Sequence, residues 1–375
     1  MNLRVAVFIT ILLAACTTVA TRDDPPQDCP APDSIRASGT ATPSTLKWPQ
    51  NLPIYDHVVV VVEENKDYDQ IIGNLHEAPF INKLKAQGAS FTRMYGEEHP
   101  SQGNYFWLLS GSNHHVGFDD FPPPIPIDAS NLADRLIQMR KAPTTGQPLS
   151  FTGYAEDLPT EDLEAHFNDC RGDRRCRYVR KHVPWISFKH VPRSSSQPFS
   201  DFPTDFCNLP TVAFVIPNLV HDMHDGTIRA GDKWLERHLG PYAEWAKKNN
   251  SLLIITFDEN NDRSKYRGLT KPYVRIPTID SPDFPELEYR RDIKNRIATI
   301  FVGAHIRSNE EYSEGRGITH VNILRTIEAM YGLPKSGAQQ KYAAACGISD
   351  DFLIKDIFDM RGSRSDVSLE SEGST

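Results

Sequence analysis

His57-Val58-Val59-Val60-Val61-Val62-Glu63-Glu64-Asn65 is the stretch that decides the fold. Val is stiff at χ1 and packs well on a pleated surface. Five in succession, without polar alternation, predict a strand buried on both faces of a sheet. Three more segments read the same way: Thr211 to Ile216, Leu252 to Phe257 and Ala298 to Val302. Helix-like stretches lie between them at Pro79 to Gln87, Gln102 to Leu109, Asn131 to Lys141, Asp232 to Lys248 and Thr319 to Tyr331. Strands alternating with helices predict an α/β sandwich with a central, mostly parallel sheet flanked by helices.

The polar residues that follow the strands carry the chemistry. In open α/β sheets, sites form beyond the carboxyl ends of the strands. The first strand runs into Glu63-Glu64-Asn65 and the second into Pro217-Asn218, then His221-Asp222-Met223-His224-Asp225. The third runs into Asp258-Glu259-Asn260. Carboxylates with an amide make a hard oxygen site suited to a divalent cation. Glu64, Asn65, Asp258 and Glu259 are the expected ligands of one such ion. A single acidic cluster at a strand end is ordinarily a solvated loop, so it is the pairing of two clusters that points to metal.

His99-Pro100-Ser101-Gln102-Gly103-Asn104 opens a candidate helix. A Ser there ordinarily caps free backbone N–H groups. The alternative is a nucleophile, because a helix N-terminus favours anions and a neighbouring cation stabilises the alkoxide. His221, His224 and His320 stand beside strand or helix termini. Imidazole titrates near neutrality and can protonate a leaving alkoxide. A metal, a Ser and His or Asn donors suffice for phosphoryl transfer, which rests mainly on positioning and charge neutralisation.

The bulk numbers set outer bounds. The 375 residues are 39% hydrophobic and 24% charged, ordinary values for a soluble globular chain. A formal net charge of −8 argues against a nucleic-acid partner, whose electrostatic footprint would be basic. Residues 1–16 read as a signal peptide, with Arg4 before an apolar run from Val5 to Ala15 that is too short to span a bilayer. Leu13-Ala14-Ala15-Cys16 resembles a lipobox, so Cys16 is the expected lipidation site and the protein an exported lipoprotein of the periplasm or cell surface. Residues 17–52 read as a flexible tether, 53–360 as the folded domain and 361–375 as a disordered tail. Within the domain, 143–205 is richer in Pro, charge and Cys and reads as an insertion or cap rather than sheet. Cys170 and Cys176 are the most plausible disulfide pair in an oxidising compartment.

Five fragments then occur in a telling order: VVVVVEEN, APFINKLKAQGASFTRMYGEEHPSQGNYFWLLSG, PNLVHDMHDGTIRAGDKWL, LLIITFDEN and ITHVNILRTIEAMYGLP. Together they resemble the phosphoesterase family that contains bacterial acid phosphatases and phospholipase C enzymes, within the alkaline-phosphatase-like superfamily. The resemblance covers about residues 55 to 335. It implies an alkaline-phosphatase-like sandwich that hydrolyses phosphate esters through a phosphoserine. Ser101 matches the nucleophile; Glu64, Asn65, Asp258 and Glu259 match the ligands of a divalent metal. Asn104, Asp222, His224 and His320 match polar residues around the phosphate, and His99 lies in the matching HPS motif. Val220-His221 departs from the family, which often has Asn or Cys-Asn before that Asp, so His221 is a phosphate contact by its place in the turn alone. The implied substrate is a phosphorylated small molecule or lipid. The chain's size matches the acid phosphatase branch better than phospholipase C, and the remaining alternative is a non-enzymatic surface lipoprotein that binds a phosphorylated ligand.

Overall fold

β1 (His57–Glu63) is buried along its whole length and sits well inside the main sheet, as the valine run predicts. The computed structural model describes residues 52–116, 126–143, 145–168, 176–261, 295–307, 310–312, 317–345 and 347–359. The other strands are β2 (Ala89–Phe91), β3 (Met94–Tyr95), β4 (Phe151–Ala155), β5 (Phe167–Asn168), β6 (Tyr178–Val179), β7 (Ser196–Pro198), β8 (Val212–Ile216), β9 (Ser251–Phe257), β10 (Thr299–Gly303), β11 (Glu310–Tyr312) and β12 (Ile318–Thr319). The helices are α1 (Tyr68–Ile71), α2 (Pro79–Gln87), α3 (Ser101–Ser110), α4 (Leu132–Met139), α5 (Ile228–Ala246), α6 (His320–Tyr331) and α7 (Lys341–Ala345).

Eight strands form the central sheet in the order β11-β2-β10-β9-β1-β8-β4-β7. β1 runs parallel to β8 and β9, and β4 runs parallel to β8 and β7. β10 is antiparallel to both β9 and β2. In this register Val60 lies between Phe214 and Ile254, so one apolar layer crosses three strands. Each valine fully buried this way stabilises the fold by roughly 1.5–3 kcal/mol relative to exposure. Helices flank the sheet: α2 and α5 pack on each other and on β10, and α3 packs on α6.

Among the boundaries that differ from expectation, two matter most for the packing. α5 begins at Ile228 rather than Asp232, because Thr227 caps it, its hydroxyl accepting from Ala230 N–H at 3.1 Å. Asp232 instead serves α2, accepting from the N–H groups of Phe80 and Ile81 at 3.0 and 2.9 Å. The 143–205 segment is not wholly an insertion outside the sheet, since β4 and β7 belong to the central sheet. Phe151-Thr-Gly-Tyr-Ala hides that role because Gly153 interrupts its pattern. A Cβ there would come within 2.1 Å of the Trp185 ring, so the glycine admits the indole against the strand. The excursion proper runs between β4 and β7 and carries β5, β6 and short 3₁₀ turns, one of them at Arg180–His182.

Leu52, at the far end of the expected tether, is already core. Cys176 and Cys207 are each disulfide-bonded. Cys16, Cys170, the rest of the tether and the tail lie outside the described residues.

Candidate active site

Main-chain hydrogen bonds gather the ends of β1 and β9 and the turn after β8. Asp258 N–H donates to Glu63 O at 2.9 Å, and Glu64 N–H donates to Asp222 O at 2.8 Å. Asn65 N–H donates to Asp258 Oδ1 at 3.0 Å. Asn65 holds a φ of 53°, a left-handed conformation that Asn tolerates better than most residues. Lys66 closes the junction, its ammonium donating to Met223 O at 2.7 Å. Burial presses that ammonium below its usual range, while Asp222, Glu64 and Asp258 pull the other way.

Ser101 is the first residue of α3, and Pro100 holds the capping position before it. Its hydroxyl therefore does not cap the helix. It is 2% exposed and lies 3.1 Å from Glu64 Oε2 and 3.3 Å from Glu259 Oε1. A hydroxyl has one proton, so the two carboxylates compete for it and it serves one at a time. Tyr105, one turn further on the same helix face, donates its hydroxyl to Glu64 Oε1. His99 Nδ1 lies 2.6 Å from Glu259 Oε2 and fixes that carboxylate from the other side.

The structure adds a residue that no spacing singled out. His182, on the excursion's 3₁₀ turn, stacks on Tyr105 with ring centroids 4.9 Å apart. Its Nε2 lies 3.2 Å from Glu64 Oε1 and its Nδ1 lies 3.6 Å from Asp222 Oδ2. Glu64, His182 and Asp222 offer donor atoms that all lie within 4.8 Å of one another. Burial pushes the His182 ring well below its usual pKa, and it pushes Glu64, Asp222 and Asp258 above theirs. For Glu64 and Asp222 the charge of Asp258 adds to the shift.

Among the described residues, Asp222 Oδ2 and Asp258 Oδ2 are buried without a hydrogen-bond partner, and His182 Nε2 has only the Glu64 contact. Orphans of this kind cost about 1–3 kcal/mol each, more when charged. Crowded buried carboxylates beside an imidazole form a donor set that a divalent cation satisfies. The residues present therefore fit such an ion.

Several expected phosphate contacts are engaged elsewhere. Asn104 Oδ1 accepts from the N–H groups of Glu97 and Glu98 at 2.8 and 3.0 Å, and its Nδ2 donates to Glu98 O at 2.7 Å. It shapes the turn that delivers Ser101. His320 has both nitrogens occupied, Nδ1 on Glu97 Oε2 at 2.6 Å and Nε2 on Phe257 O at 2.8 Å. Burial acts to lower its pKa, but the Glu97 carboxylate overrides that and holds it above the usual value. His221 Nδ1 pairs with Glu156 Oε2 at 2.8 Å, and its ring stacks on Trp234. His224 is different. Its Nδ1 meets Asp225 Oδ1 at 2.8 Å, and its ring lies 6.2 Å from that of His182. No described residue takes its Nε2.

The family and the relatives of the chain give its class, a phosphoric ester hydrolase. The chain belongs to the Phosphoesterase family, whose profile matches residues 76–334. It is 41% identical over 291 residues to a phosphatidylinositol-3-phosphatase of Mycobacterium tuberculosis, covering 76% of this chain and 80% of that protein. It is 27% identical over 365 residues to a phosphate-repressible acid phosphatase of Penicillium chrysogenum, covering 95% and 75%. Among solved structures it resembles a protein in the alkaline phosphatase superfamily from Vibrio parahaemolyticus, with 12% identity, a TM-score of 0.44 and coverage of 78% and 71%.

Proposed function

We propose that the chain is an exported acid phosphatase that hydrolyses phosphate monoesters through a phosphoserine formed on Ser101. The observation that carries this reading is the position of the Ser101 hydroxyl, buried at the start of α3 and flanked by Glu64 and Glu259 at 3.1 and 3.3 Å. Glu64, Asn65, Asp258 and Glu259 would hold one divalent ion, with Asp258 Oδ2 the orphaned oxygen that asks for it. Such an ion supplies positive charge that favours the serine alkoxide and neutralises phosphoryl oxygens.

The chain's own residues do the rest. Glu64 and Glu259 orient the hydroxyl, and His99 and Tyr105 hold those two carboxylates in place. Ser101 passes its proton to a flanking carboxylate, Glu64 or Glu259, and its Oγ attacks phosphorus in line, forming the O–P bond as the ester oxygen departs. N–H groups in the first turn of α3 face the phosphoryl oxygens. His224, whose Nε2 has no partner among the described residues, gives the departing alkoxide its proton. It then takes a proton from water, whose oxygen bonds phosphorus and breaks the Ser101 Oγ–P bond; phosphate leaves and the flanking carboxylate returns its proton to Ser101 Oγ. His320 is excluded from proton transfer to the leaving group because both its nitrogens are bound.

The similarity to a phosphatidylinositol-3-phosphatase favours a monoester carried on a lipid headgroup over a phosphodiester. Export rests on residues 1–16, with Cys16 as the lipid attachment point. The deciding experiment is Ser101→Ala with acid-quench trapping on a labelled monoester. Turnover should drop by about three orders of magnitude or more, and the label on the Ser101 peptide should vanish. A folded variant that turns over normally refutes the mechanism.

A further inference from the structure

The carboxyl edge of the sheet carries a third acidic pair that the proposed mechanism leaves unused. β9, β1, β8 and β4 are consecutive, parallel neighbours. β4 runs directly into Glu156-Asp157, as β1 runs into Glu64-Asn65 and β9 into Asp258-Glu259. Adjacent strands lie about 4.8 Å apart, so the tip of β4 stands roughly 10 Å from the tip of β1. A phosphate ester held at β1 and β9 with one six-membered ring on its leaving side covers most of that gap. The turn after β8, which carries His221, lies between the two tips.

His221 is held by a built support. Its Nδ1 lies 3.0 and 2.8 Å from Glu156 Oε1 and Oε2. Glu156 also accepts from Asn218 N–H at 3.0 Å and from Trp234 Nε1 at 3.2 Å, and the same indole stacks on the His221 ring with centroids 6.0 Å apart. Asn218 donates its Nδ2 to Asp157 Oδ2 at 2.7 Å and accepts from the N–H groups of Val220 and His221 at Oδ1. Burial works against the charge of Glu156, but the hydrogen bonds from His221 and Asn218 outweigh it and hold the carboxyl below its usual range. A carboxylate only accepts, so Nδ1 donates and the neutral ring presents Nε2 as an acceptor. No described residue takes that Nε2, and the side chain is 28% exposed. Tautomer and ring plane are thus both fixed for a nitrogen that faces outward. With the carboxylates of Glu156 and Asp157 behind it, this end of the edge attracts hydroxyl donors and repels a second anion.

We propose that His221 determines specificity: its Nε2 accepts a hydrogen bond from a hydroxyl of the leaving alcohol, so the enzyme favours phosphate monoesters of polyhydroxy alcohols over those of plain alcohols. This rests on the monoesterase reading of the site. The phosphate sits at the tips of β1 and β9, and the alcohol lies along the tips of β8 and β4. Glu156, Trp234 and Asn218 are positioning residues that act through His221. Discrimination follows from burial on binding. A substrate without the hydroxyl covers the ring and leaves its acceptor unpaired, which an oriented acceptor penalises.

The test uses the full chain with divalent ion present and two esters, myo-inositol 1-phosphate and cyclohexyl phosphate, which differ only in the ring hydroxyls. Phosphate release gives kcat/KM for each, and their ratio is the readout. The wild type should prefer the inositol ester by about tenfold or more. His221→Phe keeps a ring against Trp234 but has no nitrogen, and His221→Asn is too short to reach. Both variants should cut the preference by about fivefold or more. A merely structural disturbance would slow both esters together and leave the ratio where it was. A wild type that turns over the two esters alike, or variants that keep its preference within about twofold, overturn this proposal alone. The Asn variant decides the matter should Phe fail to fold. A wild-type chain that hydrolyses neither ester overturns the monoesterase reading and this proposal with it.

Discussion

Replacing Glu97 with Gln tests the buried ion pair that holds His320 in position. Glu97 is buried; Oε2 receives His320 Nδ1 at 2.6 Å and Oε1 receives Val321 N–H at 3.0 Å. His320 Nε2 donates in turn to the carbonyl of Phe257, the residue before Asp258. Both partners are oxygen acceptors and the Glu97 carboxylate raises the ring's pKa, which favours the imidazolium. A glutamine offers one acceptor oxygen for two N–H donors, and its own NH₂ then faces the other. One buried donor loses its partner, and the ring loses its counter-charge. Breaking a buried ion pair from one side costs about 3–5 kcal/mol. Here the ring can limit the loss by releasing its proton, which burial favours, so about 3 kcal/mol is expected. At roughly 2–4 °C per kcal/mol for a domain of this size, the unfolding midpoint should fall by about 6–12 °C.

The pH dependence gives the sharper signature. The His320 pKa is raised in the folded state. Its contribution is therefore complete below the unfolded value of about 6.5 and is lost as pH rises through the higher folded value. The gap between wild type and Glu97→Gln should be widest in mildly acid buffer and should narrow on the alkaline side. Circular dichroism melts of both proteins across that range measure it. A midpoint difference below about 1 °C, or a gap that does not change with pH, refutes the reasoning.

Asp232→Asn should cost about 1 kcal/mol by weakening the cap on α2, leaving kcat and KM unchanged in a monoester assay. Gly153→Ala places a methyl within 2.1 Å of the Trp185 indole. It should destabilise by about 1–3 kcal/mol, read as a lower melting midpoint. In metal-free protein the raised carboxyls of Glu64, Asp222 and Asp258 keep protons that the unfolded chain has already released. Their stabilisation is present at acid pH and declines as pH rises above about 4. Added divalent ion should accordingly raise the melting temperature more at neutral than at acid pH, and an equal shift at both would argue against these carboxyls as the binding groups.

The sheet was legible because its central strands announce themselves locally: five valines at Val58 to Val62, and apolar runs at β8 and β9. The acid clusters were legible for the same reason, since each follows its strand directly. Tyr105 was within reach of sequence reasoning, because it lies four residues after Ser101 on the same helix face. His182 was not, because Arg180-Lys181-His182 has no period and owes its position to a distant fold of the excursion. The roles of Asn104 and His320 were equally hidden. Whether an amide or an imidazole faces substrate or backbone depends on partners such as Glu97, which lies 223 positions from His320. β4 escaped notice because its glycine, needed for Trp185, breaks the apolar run that marks the neighbouring strands.

The hydrogen bonds joining Glu63, Glu64, Asp222 and Asp258 run largely through peptide groups. Peptide groups are shared by nearly all amino acids, so the points where these side chains sprout are set mainly by the backbone, with Asp258 Oδ1 the side-chain contribution. A lineage could therefore exchange one acid for another, or an acid for an amide, and alter the preferred ion or ester without rebuilding the platform.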